Sequence, residues 1–294
     1  MIVELLNTNA RREVTARMVV SYLAAKGISR AAIRDEHLMP LYAVLSKSAH
    51  TSLGRGDQLT ELNKSYKPLE DEVWGVIVET REHPALERVI CQFSEQLDIG
   101  IQLFHGTVNE PFIRRSKISE LIEKGKVILT SLEVEALSLS EYNALFLSRD
   151  FWQAQMGRKK ILIFQPDTVV CEQSDFQLAD FLNFDYIGSK WPRERPVGII
   201  IDGGSGGLSL RDWSKTVECL DCFSPRLWPG GEDGYFAFHM DLMGGRVGRG
   251  DECARFSTQY EFLYKSFGGH KVTELDSLSL ERFIQYLPDV NHIL

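Results

Sequence analysis

The chain has 294 residues, of which 44% are hydrophobic, and it carries a formal net charge of −8. This length and apolar content suffice for one large core or two smaller ones. The sequence contains no run of about 18 apolar residues, so it predicts no membrane-spanning helix. The acidic net charge argues against a nucleic-acid partner. Five cysteines do not pair into a disulfide framework. Residues 1–7 lack the basic and then apolar layout of a signal peptide. Because cysteines without a disulfide framework indicate a reducing compartment, we expect a cytoplasmic protein.

Residues 1–70 are predicted to form a helical N-terminal extension. Val14, Met18 and Leu23 recur at helical spacing, and a second helical stretch is predicted over 30–48. A polar segment with the composition of a linker follows, and it includes residues 54–57 and 63–65. No motif in this segment points to chemistry.

From residue 73 onward, predicted strands and helices alternate. The strands fall at 74–78, 99–104, 127–130 and 161–165, and the helices between them at 84–97, 116–124 and 140–156. This alternation predicts βαβ units, and therefore an α/β domain over 71–294 with a mostly parallel sheet flanked by helices. Neither Gly-x-Gly-x-x-Gly after the first strand nor a P-loop occurs, which argues against dinucleotide-binding Rossmann enzymes and P-loop enzymes.

Polar side chains follow the predicted strands. Arg81, His105 and Asp167 each stand where a strand ends, and ligand sites of open α/β sheets lie at the carboxyl ends of strands. A lone Asp in such a place suits a divalent cation that holds a diphosphate, because Mg²⁺ usually takes one or two protein carboxylates. The alternative is an Asp that only caps its loop.

Two later segments concentrate glycine and acid. Residues 203–207 hold four glycines in five positions, and Glu232 and Asp233 stand at the start of a predicted helix. Glycines at this density let backbone approach a ligand closely, and the flanking aromatic residues are typical of pocket walls. The alternatives are a flexible surface loop and an acid pair that the helix dipole favours.

Seven segments, taken in chain order, resemble a family of uncharacterised proteins assigned to the glycosyltransferases of the GT-A fold. The segments are 76–81, 148–152, 161–167, 185–188, 206–211, 232–233 and 267–271. The likeness spans roughly 73–272. It implies a GT-A-like (Rossmann-like) fold and transfer of a sugar from a nucleotide-sugar donor, UDP-linked, to a glycan or another hydroxyl-bearing acceptor.

The resemblance also assigns roles to residues. Asp167 and His270 would hold Mn²⁺ or Mg²⁺, although Gln165 stands where the family often has a further metal-binding acid, so metal dependence stays open. Asp233 would be the general base of an inverting reaction; Glu232 would replace it in that role or orient a sugar hydroxyl. The residues implied to contact the donor are Glu79, Thr80, Arg81, His105, Arg149, Gln165, Gly206, Gly207 and Lys271. Trp191 or Tyr186 would stack against the acceptor.

Two other functions stay open beside the transferase. The first is a non-catalytic carbohydrate or nucleotide-sugar binding protein, which Gln165 keeps in consideration. The second is a metal-assisted phosphoester hydrolase, which would need more carboxylates near Asp167. For residues 1–70 three roles stay open: a helical cap, an oligomer contact and a platform on the acceptor side. The oligomeric state is not determined by the sequence.

Overall fold

The computed structural model describes residues 14–48, 71–192, 199–288 and 290. In chain order the strands are β1 (Val14–Thr15), β2 (Val73–Glu79), β3 (Gly100–His105), β4 (Val127–Ser131), β5 (Lys160–Phe164), β6 (Thr168–Val170), β7 (Tyr186–Ser189), β8 (Ile199–Ile200), β9 (Ser205–Asp212), β10 (Ser257–Thr258) and β11 (Gly268–His270). The α-helices are α1 (Ala16–Ala25), α2 (Asp35–Ser48), α3 (Leu86–Leu97), α4 (Glu110–Arg115), α5 (Ile118–Glu123), α6 (Leu139–Phe146), α7 (Arg149–Gln153), α8 (Trp213–Cys222), α9 (Glu232–Met243), α10 (Asp251–Phe256) and α11 (Ser277–Tyr286).

A six-stranded sheet in the order β4-β3-β2-β5-β9-β7 forms the centre of the molecule. The first four strands of that order are mutually parallel, whereas β9 runs antiparallel to both β5 and β7. Helices pack on both faces of this sheet: Val89 and Phe93 of α3 belong to the core on one face, and Phe146 of α6 and Phe236 of α9 belong to the core on the other. The predicted α/β class with a mostly parallel sheet is confirmed.

The parallel strands are buried on both sides, as their continuous apolar runs predict. In β2, Trp74, Val76 and Val78 belong to the core on one face, while Val73 and Ile77 belong to the core on the other. This alternation follows from the period of two along a strand. The sheet therefore separates two hydrophobic cores.

The strand order reverses between β2 and β5. The chain proceeds from β2 through β3 to β4 on one side, and then returns to place β5 on the opposite side of β2. The connections that leave the carboxyl ends of β2 and β5 consequently diverge and open a crevice. Open α/β sheets bind ligands at such a topological switch point.

A small second sheet brings the end of the chain to this crevice. Strand β11 pairs antiparallel with β6, and His270 lies opposite Thr168. Because Asp167 directly precedes Thr168, this register places His270 beside Asp167. Residues 103 positions apart in the sequence thus become neighbours.

Strand β9 contains a bulge at its glycines. Gly188 of β7 faces Ser209, yet the next residue, Ser189, faces Ser205. Residues 206–208 therefore lie outside the β7–β9 ladder, as extra residues in a bulge do.

The N-terminal helices share a core with α9. Val19 and Leu23 of α1 belong to the same hydrophobic cluster as Phe236, and the Tyr42 hydroxyl lies 2.7 Å from Nε2 of His239. The proposed boundary near residue 70 lies outside the described residues, so the division into 1–70 and 71–294 stays a prediction. Within the described ranges, no helix is long and apolar enough to cross a membrane.

One predicted helix is wrong in its extent. The stretch 140–156 divides into α6 and α7, because Ser148 adopts an extended backbone and its side chain accepts a hydrogen bond from the amide of Asp150. A serine in this role starts a new helix. The break makes α6 and α7 separate helices, and Leu139 and Tyr142 of α6 line the crevice.

Candidate functional site

A cavity of about 310 Å³ lies at the switch point between β2 and β5. Six of the residues singled out from the sequence line it: Glu79, Thr80, Arg81, Gln165, Asp167 and Lys271. Tyr142 of α6 and His83 line it as well. The rule that ligand sites form at the carboxyl ends of strands is therefore met by a real cavity.

At the end of β2, Arg81 is oriented by hydrogen bonds to Glu79. Glu79 is buried, and its carboxylate accepts hydrogen bonds from the backbone amide, Nε and Nη2 of Arg81 at 2.8, 2.9 and 2.8 Å. These bonds raise the pKa of Arg81. The Asn109 side chain donates to the carbonyl oxygens of Glu79 and Arg81 and fixes the loop. Because the Arg81 side chain is 68% exposed, its charge is both oriented and accessible to an anion.

The end of β5 presents Asp167 next to His270. Oδ1 of Asp167 lies 3.6 Å from Nε2 of His270, and this oxygen is buried without a hydrogen-bond partner. Burial raises the pKa of Asp167, and the nearby Lys271 opposes that shift. A buried carboxylate oxygen without a donor costs free energy unless the group is protonated or a ligand supplies positive charge.

The imidazole of His270 is neutral and is held from both sides. Burial lowers its pKa to about 3. Its Nδ1 lies 3.1 Å from Oε1 of Gln259, and its Nε2 lies 3.1 Å from Oε1 of Gln165. A neutral imidazole donates through one nitrogen only. At the other nitrogen, the lone pair of the ring therefore faces an amide oxygen, which is also an acceptor. If Nδ1 donates to the Gln259 oxygen, which also accepts from Ser205 Oγ, the lone pair of Nε2 faces Gln165 and Asp167.

Two spacings among these donor atoms are close to those between ligands of a small divalent cation. Ligands about 2.1 Å from Mg²⁺ in octahedral geometry lie about 3 Å apart, and the spacings from Nε2 of His270 to Gln165 Oε1 and Asp167 Oδ1 are 3.1 and 3.6 Å. In the part of the chain that the structure describes, no group of three His, Cys, Asp or Glu side chains could hold a metal. A cation here would use the Gln165 amide oxygen and would take its remaining ligands from a bound phosphate and water.

The first turn of α9 carries the two predicted acids. Glu232 is 5% exposed, and both of its carboxylate oxygens accept hydrogen bonds from Arg211, at 2.6 and 3.0 Å. Asp233 is half-buried, and its Oδ1 accepts a hydrogen bond from the amide of Gly234. Oδ1 of Asn143 in α6 accepts from the Glu232 amide at 2.8 Å and so caps the helix. The acid that solvent can reach is therefore Asp233.

Gly206 lies against the acid pair, and Gly207 lies against His270 and Gln165. A Cβ atom at Gly206 would lie 3.2 Å from Cβ of Asp233, and one at Gly207 would lie 2.1 Å from Nε2 of His270. Because neighbouring Cα atoms are 3.8 Å apart, Asp233 and His270 lie within about 12 Å of each other. Only glycine leaves room for these side chains, so the density of glycine has a packing reason at both positions.

The cavity lining excludes four predicted donor contacts, namely His105, Arg149, Gly206 and Gly207, and it also excludes Glu232, Asp233 and His270. His105 is buried, and its Nδ1 bonds to the carbonyl oxygen of Gly106; Arg149 forms an ion pair with Asp221 at the surface. Tyr186 is fully buried, and its hydroxyl donates to the carbonyl oxygen of Gly204. Because Tyr186 is buried, its ring has no free face against which the sugar acceptor could stack. Trp191 remains the predicted stacking residue for that acceptor.

Sequence reasoning missed three residues that shape the site. Gln165 Nε2 donates to the Tyr142 hydroxyl at 3.1 Å, Asn143 caps α9, and Gln259 orients His270. Tyr142 and Asn143 occupy adjacent positions of one helix, and a half-buried aromatic residue beside an amide gives no local signal. Gln259 follows β10, a strand of two residues that pairs with β11, and so short a strand has no recognisable period.

Comparison with known proteins adds a family without a known function. A family described as "Protein of unknown function (DUF5672)" matches residues 127–270, just under half of the chain. The match includes Gln165, Asp167, Asp233 and His270. It begins after β2 and so leaves out Glu79, Thr80 and Arg81. No curated protein matches the chain.

Proposed function

We propose that the protein is a glycosyltransferase of the GT-A type, which moves a sugar from a nucleotide-sugar donor, UDP-linked, to an acceptor hydroxyl. The observation that carries this proposal is the juxtaposition at the switch point. Cationic Arg81 and Lys271 line a cavity together with Asp167. The glycine bulge lies between Gln165 and His270 on one side and Asp233, a half-buried carboxylate at the start of a helix, on the other.

The cationic side of the cavity suits the diphosphate of the donor. Arg81 is held by Glu79 and remains exposed, and Lys271 adopts a left-handed backbone with φ of 45° at the end of β11. An arginine can bind a phosphate through two parallel hydrogen bonds, and a lysine acts as a point charge. Both charges would offset the negative charge that develops on the departing diphosphate.

Asp233 is the proposed general base. Its carboxylate takes the proton from the acceptor hydroxyl as that oxygen forms a bond with the anomeric carbon of the sugar. The bond between the anomeric carbon and the diphosphate oxygen breaks with its electron pair on the diphosphate. Attack and departure occur on opposite faces of the sugar, so the configuration inverts, and no covalent enzyme intermediate is required.

A divalent cation, Mn²⁺ or Mg²⁺, would be held by Asp167, His270 and the Gln165 amide. When bound, it would act as a Lewis acid toward the phosphate oxygens. Two residues of the chain would support this arrangement: Gln259 lies within hydrogen-bond distance of Nδ1 of His270, and the Tyr142 hydroxyl accepts a hydrogen bond from the Gln165 amide. Outer hydrogen bonds of this kind commonly orient metal ligands.

A non-catalytic nucleotide-sugar binding protein is the second candidate. The observation that favours it is Gln165, which contributes no charge at a position where the resembled family often has an acid. Both candidates predict donor binding. They differ in turnover, since only the transferase uses Asp233 to cleave the donor.

Binding is tested with a panel of nucleoside diphosphates and their sugars, by thermal shift and calorimetry, with and without Mn²⁺. A ligand at a hundredfold excess over its Kd stabilises the folded protein by about 2.7 kcal/mol. We expect one nucleotide family to raise Tm, more so with Mn²⁺. Asp167→Asn should remove the effect of Mn²⁺, whereas the control Asp175→Asn should keep it, because Asp175 pairs with Lys265 at the surface. A panel without any shift would contradict the proposed function.

A further inference from the structure

Arg211 is a fully buried charge inside a ring of aromatic side chains. Its side chain has no exposed surface. Its Cζ lies between 5.1 and 5.8 Å from the ring centroids of Phe146, Trp152, Tyr186 and Phe236. Burial alone would lower the pKa of Arg211, but the Glu232 carboxylate raises it. The guanidinium is therefore protonated and is held by both a carboxylate and ring faces.

Stability alone does not account for such a pair. Removing two charges from water costs free energy that their attraction often fails to recover, and apolar residues of similar volume frequently replace a buried pair without loss. A buried pair is better attested as a device that fixes one arrangement of the chain. The question is then which arrangement Arg211 fixes.

The guanidinium contacts two parts of the site at once. Nη1 and Nη2 donate to Glu232, the residue before Asp233. Nε donates to Oγ of Ser209 at 3.1 Å, and Ser209 Oγ in turn donates to the carbonyl oxygen of Gly206 at 2.9 Å. One planar group thus fixes the first turn of α9 relative to the glycine bulge.

The two parts meet at Gly206. A Cβ atom there would lie 2.5 Å from Oε1 of Glu232, 2.8 Å from Nη2 of Arg211 and 3.2 Å from Cβ of Asp233. The backbone of the bulge is therefore in contact with the acid pair itself. A shift of the guanidinium would change the spacing between the bulge and Asp233.

We infer that Arg211 is a positioning residue, which holds Asp233 and the backbone of Gly206 at the spacing that sugar transfer requires. The inference rests on the function proposed above. Arg211 also retains Glu232 in a salt bridge, so that Asp233 is the acid of the pair that meets the acceptor. Arg211 itself does not touch the substrates.

The test compares one substitution at the two ends of the same helix. Arg211→Lys keeps the charge and removes the two-point contact at the start of α9. Arg249→Lys does the same near its end, where Arg249 binds Asp241 at 2.9 Å and Asp202 at 3.0 Å. Both variants are measured for Tm, for the Kd of the nucleoside diphosphate, and for kcat and KM of donor cleavage with water or acceptor.

We expect Arg211→Lys to lower kcat by about 100-fold, because a displacement of about 1 Å at a reacting group costs that much. Its Kd for the nucleoside diphosphate should stay within about threefold, which is less than 1 kcal/mol. Arg249→Lys should keep kcat even if its Tm falls. If Arg211→Lys does not fold, Ser209→Ala serves, since it cuts the link to Gly206 while the salt bridge remains. It should lower kcat with an unchanged Kd.

Three results would overturn the inference, and they are distinguishable. If the wild-type protein cleaves the donor and Arg211→Lys, or Ser209→Ala in its place, cleaves it as fast, Arg211 is not a positioning residue and the proposed function stands. If Arg249→Lys loses kcat as severely, the effect reflects the stability of α9 alone. If the wild-type protein binds and cleaves no donor, the proposed function falls, and this inference falls with it.

Discussion

Adding one methyl group at Gly207 should weaken donor binding selectively. A Cβ atom at this position would lie 2.1 Å from Nε2 and 2.2 Å from Cε1 of His270, and 2.7 Å from Oε1 of Gln165. Favourable contacts between heavy atoms begin at about 3.5 Å, so in Gly207→Ala the imidazole must retreat by about 1 Å. His270 is buried and in contact with Gln259, so this retreat disturbs its packing.

The size of the effect follows from this displacement. Overpacking a rigid site costs about 1–3 kcal/mol of folding stability. Moving Nε2 of His270 by about 1 Å would take it out of reach of a ligand shared with Asp167, since a metal–nitrogen bond is about 2 Å long. A loss of one ligand contact of about 1.4–2.8 kcal/mol lowers affinity by about 10- to 100-fold.

The neighbouring glycine provides the matched comparison. Gly206→Ala places its methyl group against Glu232, Arg211 and Asp233 instead of His270. Gly207→Ala should therefore raise the Kd for the nucleoside diphosphate in the presence of Mn²⁺, measured by calorimetry, whereas Gly206→Ala should lower kcat and keep the Kd. Scanning calorimetry of both variants gives the stability loss, which should be similar. Equal Kd values for wild type and Gly207→Ala would refute the reasoning, as would indistinguishable kinetic profiles for the two variants.

Two further predictions concern stability. Burial lowers the pKa of His239 to about 3, so below pH 6.5 the unfolded chain binds a proton at this residue and the folded chain does not. The contribution of His239 to the free energy of unfolding is therefore complete above pH 6.5 and falls by about 2 kcal/mol by pH 5. Urea titrations should show a steeper loss between pH 7 and 5 in the wild type than in His239→Asn, and parallel curves would contradict the prediction. Tyr42→Phe should cost about 1–3 kcal/mol, because Nε2 of His239 loses its hydrogen-bond partner inside the core. An unchanged urea midpoint would show that this contact does not hold α2 onto α9.

Residues near the strand ends could be predicted because the rule behind them is local. An apolar run such as residues 161–164 indicates a buried strand, and the side chains that follow it must emerge at one edge of the sheet. Arg81 and Asp167 accordingly meet in one cavity. The same rule placed His105 at this edge but could not show that its ring turns toward the carbonyl oxygen of Gly106, because ring orientation depends on neighbours from other segments.

The remaining parts of the site depend on long-range pairing. Glu232 and Arg211 are 21 residues apart, and their salt bridge forms only when α9 packs against β9. His270 reaches Asp167 through the antiparallel register of β6 and β11, strands of three residues each, which are too short to show a period. The bulge at 206–208 also depends on pairing with β7. Glycine density indicated a close approach there but not which side chains approach.

Cleavage of a nucleotide-sugar by the wild-type protein and by Asp233→Asn tests the central claim most directly. Release of nucleoside diphosphate is followed by phosphorus NMR, with Asp251→Asn as the control, since Asp251 is an exposed acid in the first turn of another helix. A general base contributes about 10²–10⁴-fold to rate. We predict a loss of that size in Asp233→Asn with donor binding retained, and normal turnover in Asp251→Asn. Equal turnover in all three proteins would remove Asp233 from the chemistry, and a wild type that binds donors without cleaving them would identify a binding protein.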